Sequence, residues 1–364
     1  MKGKIKSKAA ELGFSQVSII PVQPLPLWEE GIERCKTLDA NSTDYWESRG
    51  LVSDFKAVME DAKTIIAAAF PYQPKRNSNS PGQGFYSAHY EAYPKGRNAI
   101  AELGKLLTEK GYNIAIDPPV SAKQIAYISG LGRFGKNSLI HHHKLGSFLT
   151  LHTLLTNAEI RPDEIEIGEI SDCGTCRLCI DACPMQAIAE NGLVLASRCL
   201  RFYMLSPEII PVEIRERIGN RIIGCDDCQI VCPRNNAVIQ QTDMAEAQQN
   251  IFDIRKLLSD AGKGLKKHMD LIGERIGRNY ARSQRILSMA VIVAGNSCDD
   301  SYIPLLAETL HHPHPPIRAH SAWAIGKLGG KNAKELLITA QAKEKDLDVQ
   351  REISLALQKV TEID

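Results

Sequence analysis

Apolar and polar positions alternate in three different ways along this chain. Up to about residue 165, short apolar runs interleave with helical patterns. Val17-Ser18-Ile19-Ile20-Pro21 and Thr64-Ile65-Ile66-Ala67-Ala68-Ala69-Phe70 are brief, apolar and closed by proline, which reads as buried strand. Tyr112 to Ile116 and Phe148-Leu149-Thr150-Leu151-His152 read the same way. Helices are expected over Ile5–Leu12, Trp28–Leu38 and Ala99–Lys110, the last with Ile100, Leu103, Leu106 and Leu107 at helical spacing and Gly111 as its stop. Residues 73–84 are a loop by composition. The segment from 166 to about 245 is dense in cysteine, and its core is small enough that bound clusters would help to fold it. From about 246 onward the pattern is helical and repetitive. Ile303–Gly329 overlays Ala333–Val360 at a shift of about 32, with Ile317 falling on Val349, and a worn earlier copy starts near Arg285. Paired helices at this period predict a small α-solenoid of HEAT type. The expected architecture is an α/β domain over 1–165, a cysteine-rich module over 166–245 and an all-α repeat domain over 246–364.

The cysteines decide the chemistry. Cys173, Cys176, Cys179 and Cys183-Pro184 follow the ferredoxin spacing C-x2-C-x2-C-x3-C-P, in which three close thiolates hold one [4Fe–4S] cluster and the fourth Cys ligates a second. Cys225, Cys228 and Cys232-Pro233 form a second run with Ile222 where a further Cys would stand, and Cys199 is free to supply that ligand. The crosswise rule then assigns Cys173, Cys176, Cys179 and Cys232 to one cluster, and Cys225, Cys228, Cys199 and Cys183 to the other. Two structural zinc sites are the competing reading, although zinc usually pairs one C-x2-C with another at a distance. Cys35 and Cys298 are isolated and read as packing thiols.

Composition adds limits. Ten cysteines, eight of them in cluster spacing, indicate a reducing compartment. No apolar signal core follows Met1-Lys2-Gly3-Lys4 and no run of 18 apolar residues occurs, so a cytoplasmic protein with no membrane span is expected. The net charge of +1 makes any basic patch local. One is present: Lys263, Lys266, Lys267, Arg275, Arg278, Arg282 and Arg285 stand against only Asp270 and Glu274. On one continuous helix the four arginines would share a face, either as a solvated surface or as a rail for RNA phosphates.

Three further features bear on a reaction centre. Gly130-Leu131-Gly132-Arg133-Phe134-Gly135 has the form G-x-G-x-x-G, but a helix precedes it where a dinucleotide fold needs a strand. A Gly-rich turn around another cofactor, or a structural turn, fits better. Asp117, before Pro118-Pro119, could donate a proton beside a bulky cofactor or could simply start a turn. His141-His142-His143 reads as a polar loop, because three adjacent side chains cannot aim at one metal.

Gly219-Asn220-Arg221-Ile222-Ile223-Gly224-Cys225 through Pro233, Gly130-Leu131-Gly132 with Gly135-Lys136-Asn137, and Arg318-Ala319-His320-Ser321-Ala322-Trp323 together resemble the epoxyqueuosine reductase family, in the same domain order across the whole chain. The resemblance implies an N-terminal cobalamin-binding domain, two [4Fe–4S] clusters beside it, and reduction of epoxyqueuosine to queuosine at the wobble position of tRNA. With it, Gly130, Gly132, Gly135, Lys136, Asn137 and Arg97 are expected at the cofactor and Asp117 as proton donor, and the rail read from the charge pattern, Arg275, Arg278, Arg282 and Arg285, gains an anticodon stem-loop to hold. The resemblance also implies an external electron donor such as a flavodoxin or ferredoxin. Two stretches depart from the family pattern. Tyr93 to Ile100 lacks the family's Asp-Tyr-His portion, and Asp117 precedes Pro119 by two residues rather than three, so that Ile116 holds the family position unless one residue is deleted. These departures leave open a paralogue reducing a small molecule, as the related dehalogenases do. A ferredoxin-like carrier without a substrate of its own is the third reading.

Overall fold

The computed structural model describes all residues except 26, 76, 78–80, 242–250, 263, 264, 331 and 364. Lys263 therefore lies outside the described residues. The chain divides into two compact units. One comprises residues 1–74, 88–199 and 226–243, the other 75–87, 200–225 and 244–364.

The first unit is built on an antiparallel sheet of β1 (Gln16–Pro21), β2 (Thr64–Pro71), β3 (Ile114–Ile116) and β4 (Leu149–Thr156), in the order β1-β2-β4-β3. Strand β2 is apolar from Ile65 to Pro71 because both its faces are covered, and its side chains alternate between two cores. Ile66 and Ala68 join Ile19 and Leu154 under α1 (Lys2–Glu11) and the long helix α3 (His89–Thr108), which contributes Ile100, Leu103 and Leu107. Ile65, Ala67 and Ala69 join Ile20 and Leu155 on the opposite face, under α4 (Ala122–Ile128) with Ile125, Ala126 and Ile128. Helix α2 (Trp28–Leu38) occupies its expected range. Helix α3 begins ten residues before the sequence pattern suggests. Pro94 and Gly96 disguise its first half, and both are tolerated inside the helix. Gly96 has a reason to be there: a β-carbon on it would lie 2.3 Å from Nε2 of His152 in β4.

The second unit carries the repeats. Helices α5 (Leu265–Ile276) and α6 (Ser283–Asn296) precede the pairs α7 (Ile303–Thr309) with α8 (Pro315–Leu328) and α9 (Ala333–Lys343) with α10 (Leu347–Ile363). Ile317 and Val349, equivalent in the repeat, are both fully buried. Small residues set the spacing between successive inner helices: Gly295 of α6 meets Ala324 of α8, and Gly326 of α8 meets Ala356 of α10, in each case closer than a β-carbon would permit. Polar groups are buried here in matched sets. The fully buried His320 ring accepts Ile210 N–H at Nε2 (2.9 Å) and faces Ser288 Oγ through Nδ1 (2.6 Å); burial, then the Arg215 charge, holds it far below the usual histidine range and therefore neutral. Arg215 is itself buried and bonded to both oxygens of Glu352 at 2.8 Å. Among the described residues no helix is long and apolar enough to cross a membrane.

Candidate functional site

The first cysteine run folds as two consecutive turns. Cys176 N–H returns to Cys173 O at 3.0 Å over Gly174, which holds a positive φ of 50°, and the one-turn helix Leu178–Asp181 then carries Cys179. Ala187 N–H donates to the Cys183 sulfur at 3.3 Å. The second run places Cys228 on the short helix Asp227–Ile230, and Cys232 follows with its N–H on Gln229 O. The result is a cavity of about 270 Å3 whose wall includes Cys173, Cys176, Cys179 and the distant Cys232. These are the four ligands expected for one cluster. Cys183, Cys199 and Cys228 also lie in the first unit, and Cys225 ends segment 200–225 of the second.

The donor set suits a cluster better than a lone ion. Among the described residues no three His, Cys, Asp or Glu side chains converge closely enough to hold a single metal, whereas the four thiols ring a space. Burial pushes the Cys179 thiol up, and the Cys232, Cys173 and Cys176 sulfurs push it further. Burial likewise raises Cys232. Four thiolates this close need positive charge between them, which an iron–sulfur core supplies.

The glycine loop forms part of this wall. After α4 the chain makes a hairpin of the two-residue strands Arg133–Phe134 and Ile140–His141. A dinucleotide loop would lead into a helix, and this one does not. The bare face of Gly132 is filled by Ile140 and the His141 carbonyl, and that of Gly135 by the His141 ring and Asn137. These two glycines thus close the hairpin and do not open a cradle for a large cofactor. Lys136 Nζ donates to Cys176 O at 3.0 Å, and Asn137 Nδ2 donates to Cys228 O at 3.2 Å, so the loop braces both cysteine runs. Arg97 is exposed on α3. The His141–His143 stretch is not the polar loop that its composition suggests. His141 and His142 are buried, His141 facing Asn137 Oδ1 at 3.2 Å and His142 facing Gln16 Oε1 at 3.0 Å. Burial lowers both rings to about 4, so neither carries charge at neutral pH.

Asp117 follows β3 in the left-handed region, with φ of 44°, a conformation that costs a residue with a β-carbon about 1–2 kcal/mol. Its backbone N–H donates to Thr153 O at 2.7 Å and Thr153 N–H returns to Oδ1 at 2.9 Å. His152 Nδ1 lies 3.0 Å from Oδ2, and the Tyr93 hydroxyl donates to the same oxygen at 3.4 Å. Tyr93 and His152 were not singled out by the sequence. The available signal was a histidine in the otherwise apolar or Thr-rich run of β4, a strand destined for the sheet that also holds Asp117.

The arginines do not form one helical face. Helix α5 stops at Ile276, where Gly277 takes a φ of 87°, and α6 restarts at Ser283 with Arg282 as its N-cap. Arg275 thus closes one helix, Arg278 and Arg282 stand exposed on the connection, and Arg285 lies half-buried in the first turn of the next. Burial, then the Arg282 charge, lowers Arg285 from the usual arginine range.

Residues 172–235 match the family described as 4Fe-4S double cluster binding domain, and residues 279–358 match HEAT repeats. The chain therefore carries an iron–sulfur module. Epoxyqueuosine reductase of Staphylococcus aureus is 32% identical over 373 residues, covering 97% of this chain and 95% of that protein. Two solved epoxyqueuosine reductase structures, each 26% identical, superpose over 99% of this chain and 98% of theirs with TM-scores of 0.80. One is bound to an epoxyqueuosine-modified tRNA-Tyr stem loop, and the other, from Bacillus subtilis, has its catalytic aspartate loop swung out of the active site. With this identity over nearly its whole length, the chain belongs to the epoxyqueuosine reductase family.

Proposed function

We propose that this protein is a cobalamin- and iron–sulfur-dependent oxidoreductase that converts epoxyqueuosine to queuosine in tRNA. The observation that carries the redox part is the cavity ringed by Cys173, Cys176, Cys179 and Cys232, the last standing more than fifty residues beyond the other three. Those four would hold one [4Fe–4S] cluster, and Cys183, Cys199, Cys225 and Cys228 the other. Cobalamin and the RNA substrate enter through family membership, and the N-terminal α/β part is where we place the cobalamin. When bound, the clusters supply single electrons and cobalamin the low-potential metal centre for reduction. An external donor such as a flavodoxin or ferredoxin would feed the clusters in the cytoplasm.

Asp117 is the chain's own contribution to proton transfer. It sits at a strand end, its backbone strained and its carboxyl oxygens held by groups from β4 and α3. Asp117→Asn keeps the shape and removes the acid. Iron content should be unchanged while turnover falls by ~10²-fold or more, measured under anaerobic conditions with excess reductant. Undiminished turnover would assign the proton to water or another group.

The arginines on the α5–α6 connection would hold RNA through phosphate contacts, leaving the modified base to be read elsewhere. Affinity for a tRNA stem-loop should drop steeply between low and moderate salt. Arg278→Glu with Arg282→Glu should weaken binding by ~10-fold or more at low salt and leave iron content unchanged. Salt-independent binding, or none, would favour the small-molecule paralogue, a reading that the altered Tyr93–Ile100 stretch supports.

A further inference from the structure

We propose that His152 is the positioning residue for Asp117, and that a directed hydrogen-bond chain from Thr150 through His152 holds the carboxyl group where its proton can be delivered. The inference rests on the reading of Asp117 as the proton donor.

Donor and acceptor roles follow once Asp117 has given up its proton. An ionised carboxylate only accepts, so the 3.0 Å contact has His152 Nδ1–H donating to Asp117 Oδ2. The other ring nitrogen, Nε2, faces the Thr150 hydroxyl at 2.9 Å, which can donate to it. Tyr93 O–H and Thr153 N–H add their donations to the same carboxylate. Every donor points toward Asp117.

The surroundings are built for this ring. The His152 side chain is fully buried, and Asp117 is 13% exposed. Helix α3 leaves the ring room by placing Gly96 against it, where any larger residue would collide with Nε2. Tyr93 lies against the ring with centroids 5.0 Å apart, and Phe14 meets its edge at 6.4 Å. A buried histidine whose two ring nitrogens are both engaged is held in one orientation. This pairing also explains how a non-glycine residue keeps a φ of 44°: the carboxyl is tied to β4 from both oxygens.

Removing the epoxide oxygen as water takes two electrons and two protons. The electrons come from the external donor. One proton leaves the Asp117 carboxyl as a new O–H bond forms on the departing oxygen, and solvent supplies the other. The electron pair of the broken O–H bond stays on Asp117, where Nδ1–H of His152 stabilises the charge that has just appeared. A donor that strengthens its bond only as charge develops lowers the barrier rather than the binding energy.

His152→Leu removes the donor, His152→Asn restores an N–H near the place of Nδ1, and Thr150→Val frees Nε2 while leaving the ring. We expect turnover by His152→Leu to fall ~10²-fold with KM for the tRNA within ~2-fold of the parent, His152→Asn to recover ~10-fold of that loss, and Thr150→Val to lose ~3- to 10-fold. Hydrogen exchange provides an arm independent of activity. Peptides containing Asp117 and Thr153, whose amides bond to each other's residue, should exchange ~10-fold faster in His152→Leu and near the parental rate in His152→Asn. Parental turnover in His152→Leu would overturn the proposal. So would lost turnover with unchanged exchange and no recovery in His152→Asn. Should the parent itself leave epoxyqueuosine untouched, the substrate reading fails, and the exchange arm alone decides whether His152 holds Asp117.

Discussion

Replacing Cys232 by alanine should remove about half the iron, from about eight atoms per chain to about four, and abolish turnover. Cys232 belongs by sequence to the second run, yet it lines the cavity with Cys173, Cys176 and Cys179. A ligand set split in this way ties the two runs together, so the loss should fall on one cluster and spare the other. Cys298→Ala, at an exposed thiol outside both runs, should lose none. Iron and sulfide assays after anaerobic reconstitution give the count, and electron paramagnetic resonance of the reduced protein shows which cluster remains. Full iron in Cys232→Ala would break the crosswise assignment.

Glu352→Gln should destabilise the repeat unit by ~3–5 kcal/mol, because removing one partner leaves an uncompensated buried charge. The guanidinium of Arg215 has no exposure. Its two terminal nitrogens reach the two carboxyl oxygens of Glu352 at 2.8 Å, its Nε reaches Ile210 O, and its carbon lies 5.5 Å from the Trp323 ring centroid. Neutral glutamine offers one acceptor oxygen and presents N–H groups to the other nitrogen. Denaturant unfolding of the parent, the single variant and Arg215→Met with Glu352→Leu separates the terms. The double variant removes both charges and should regain most of the lost stability. A double variant as weak as the single one would mean that shape, and not the unpaired charge, carries the cost.

What could be read from the sequence depended on how local the physics is. Cluster ligation demands fixed short spacings, so the thiolates were legible at once. The partnership of Cys232 with the first run came only through the ferredoxin rule. The proline-closed apolar runs became β1 and β2 because strands covered on both faces need no alternation. The repeat shift became the α7–α8 and α9–α10 pairs. The start of α3 was hidden by Pro94 and Gly96, and Gly96 is explained only by a ring from another strand. The arginine face failed at Gly277, a helix stop that was visible in the sequence but outweighed by the spacing of charges. The histidine stretch was misread because a glycine hairpin buries two of its rings, which no local pattern announces. Asp117 and His152 are 35 residues apart and meet because Ile116 pairs with Leu154 across the sheet, a register that only the fold reveals.

The central claim is tested most directly by giving the protein its substrate. Protein reconstituted anaerobically with iron, sulfide and cobalamin is mixed with a low-potential reductant and tRNA bearing epoxyqueuosine, and the digested nucleosides are weighed by mass spectrometry. The expected result is conversion of epoxyqueuosine to queuosine, the loss of a single oxygen, at a rate that depends on cobalamin. Unchanged epoxyqueuosine in protein carrying both clusters and cobalamin would contradict it.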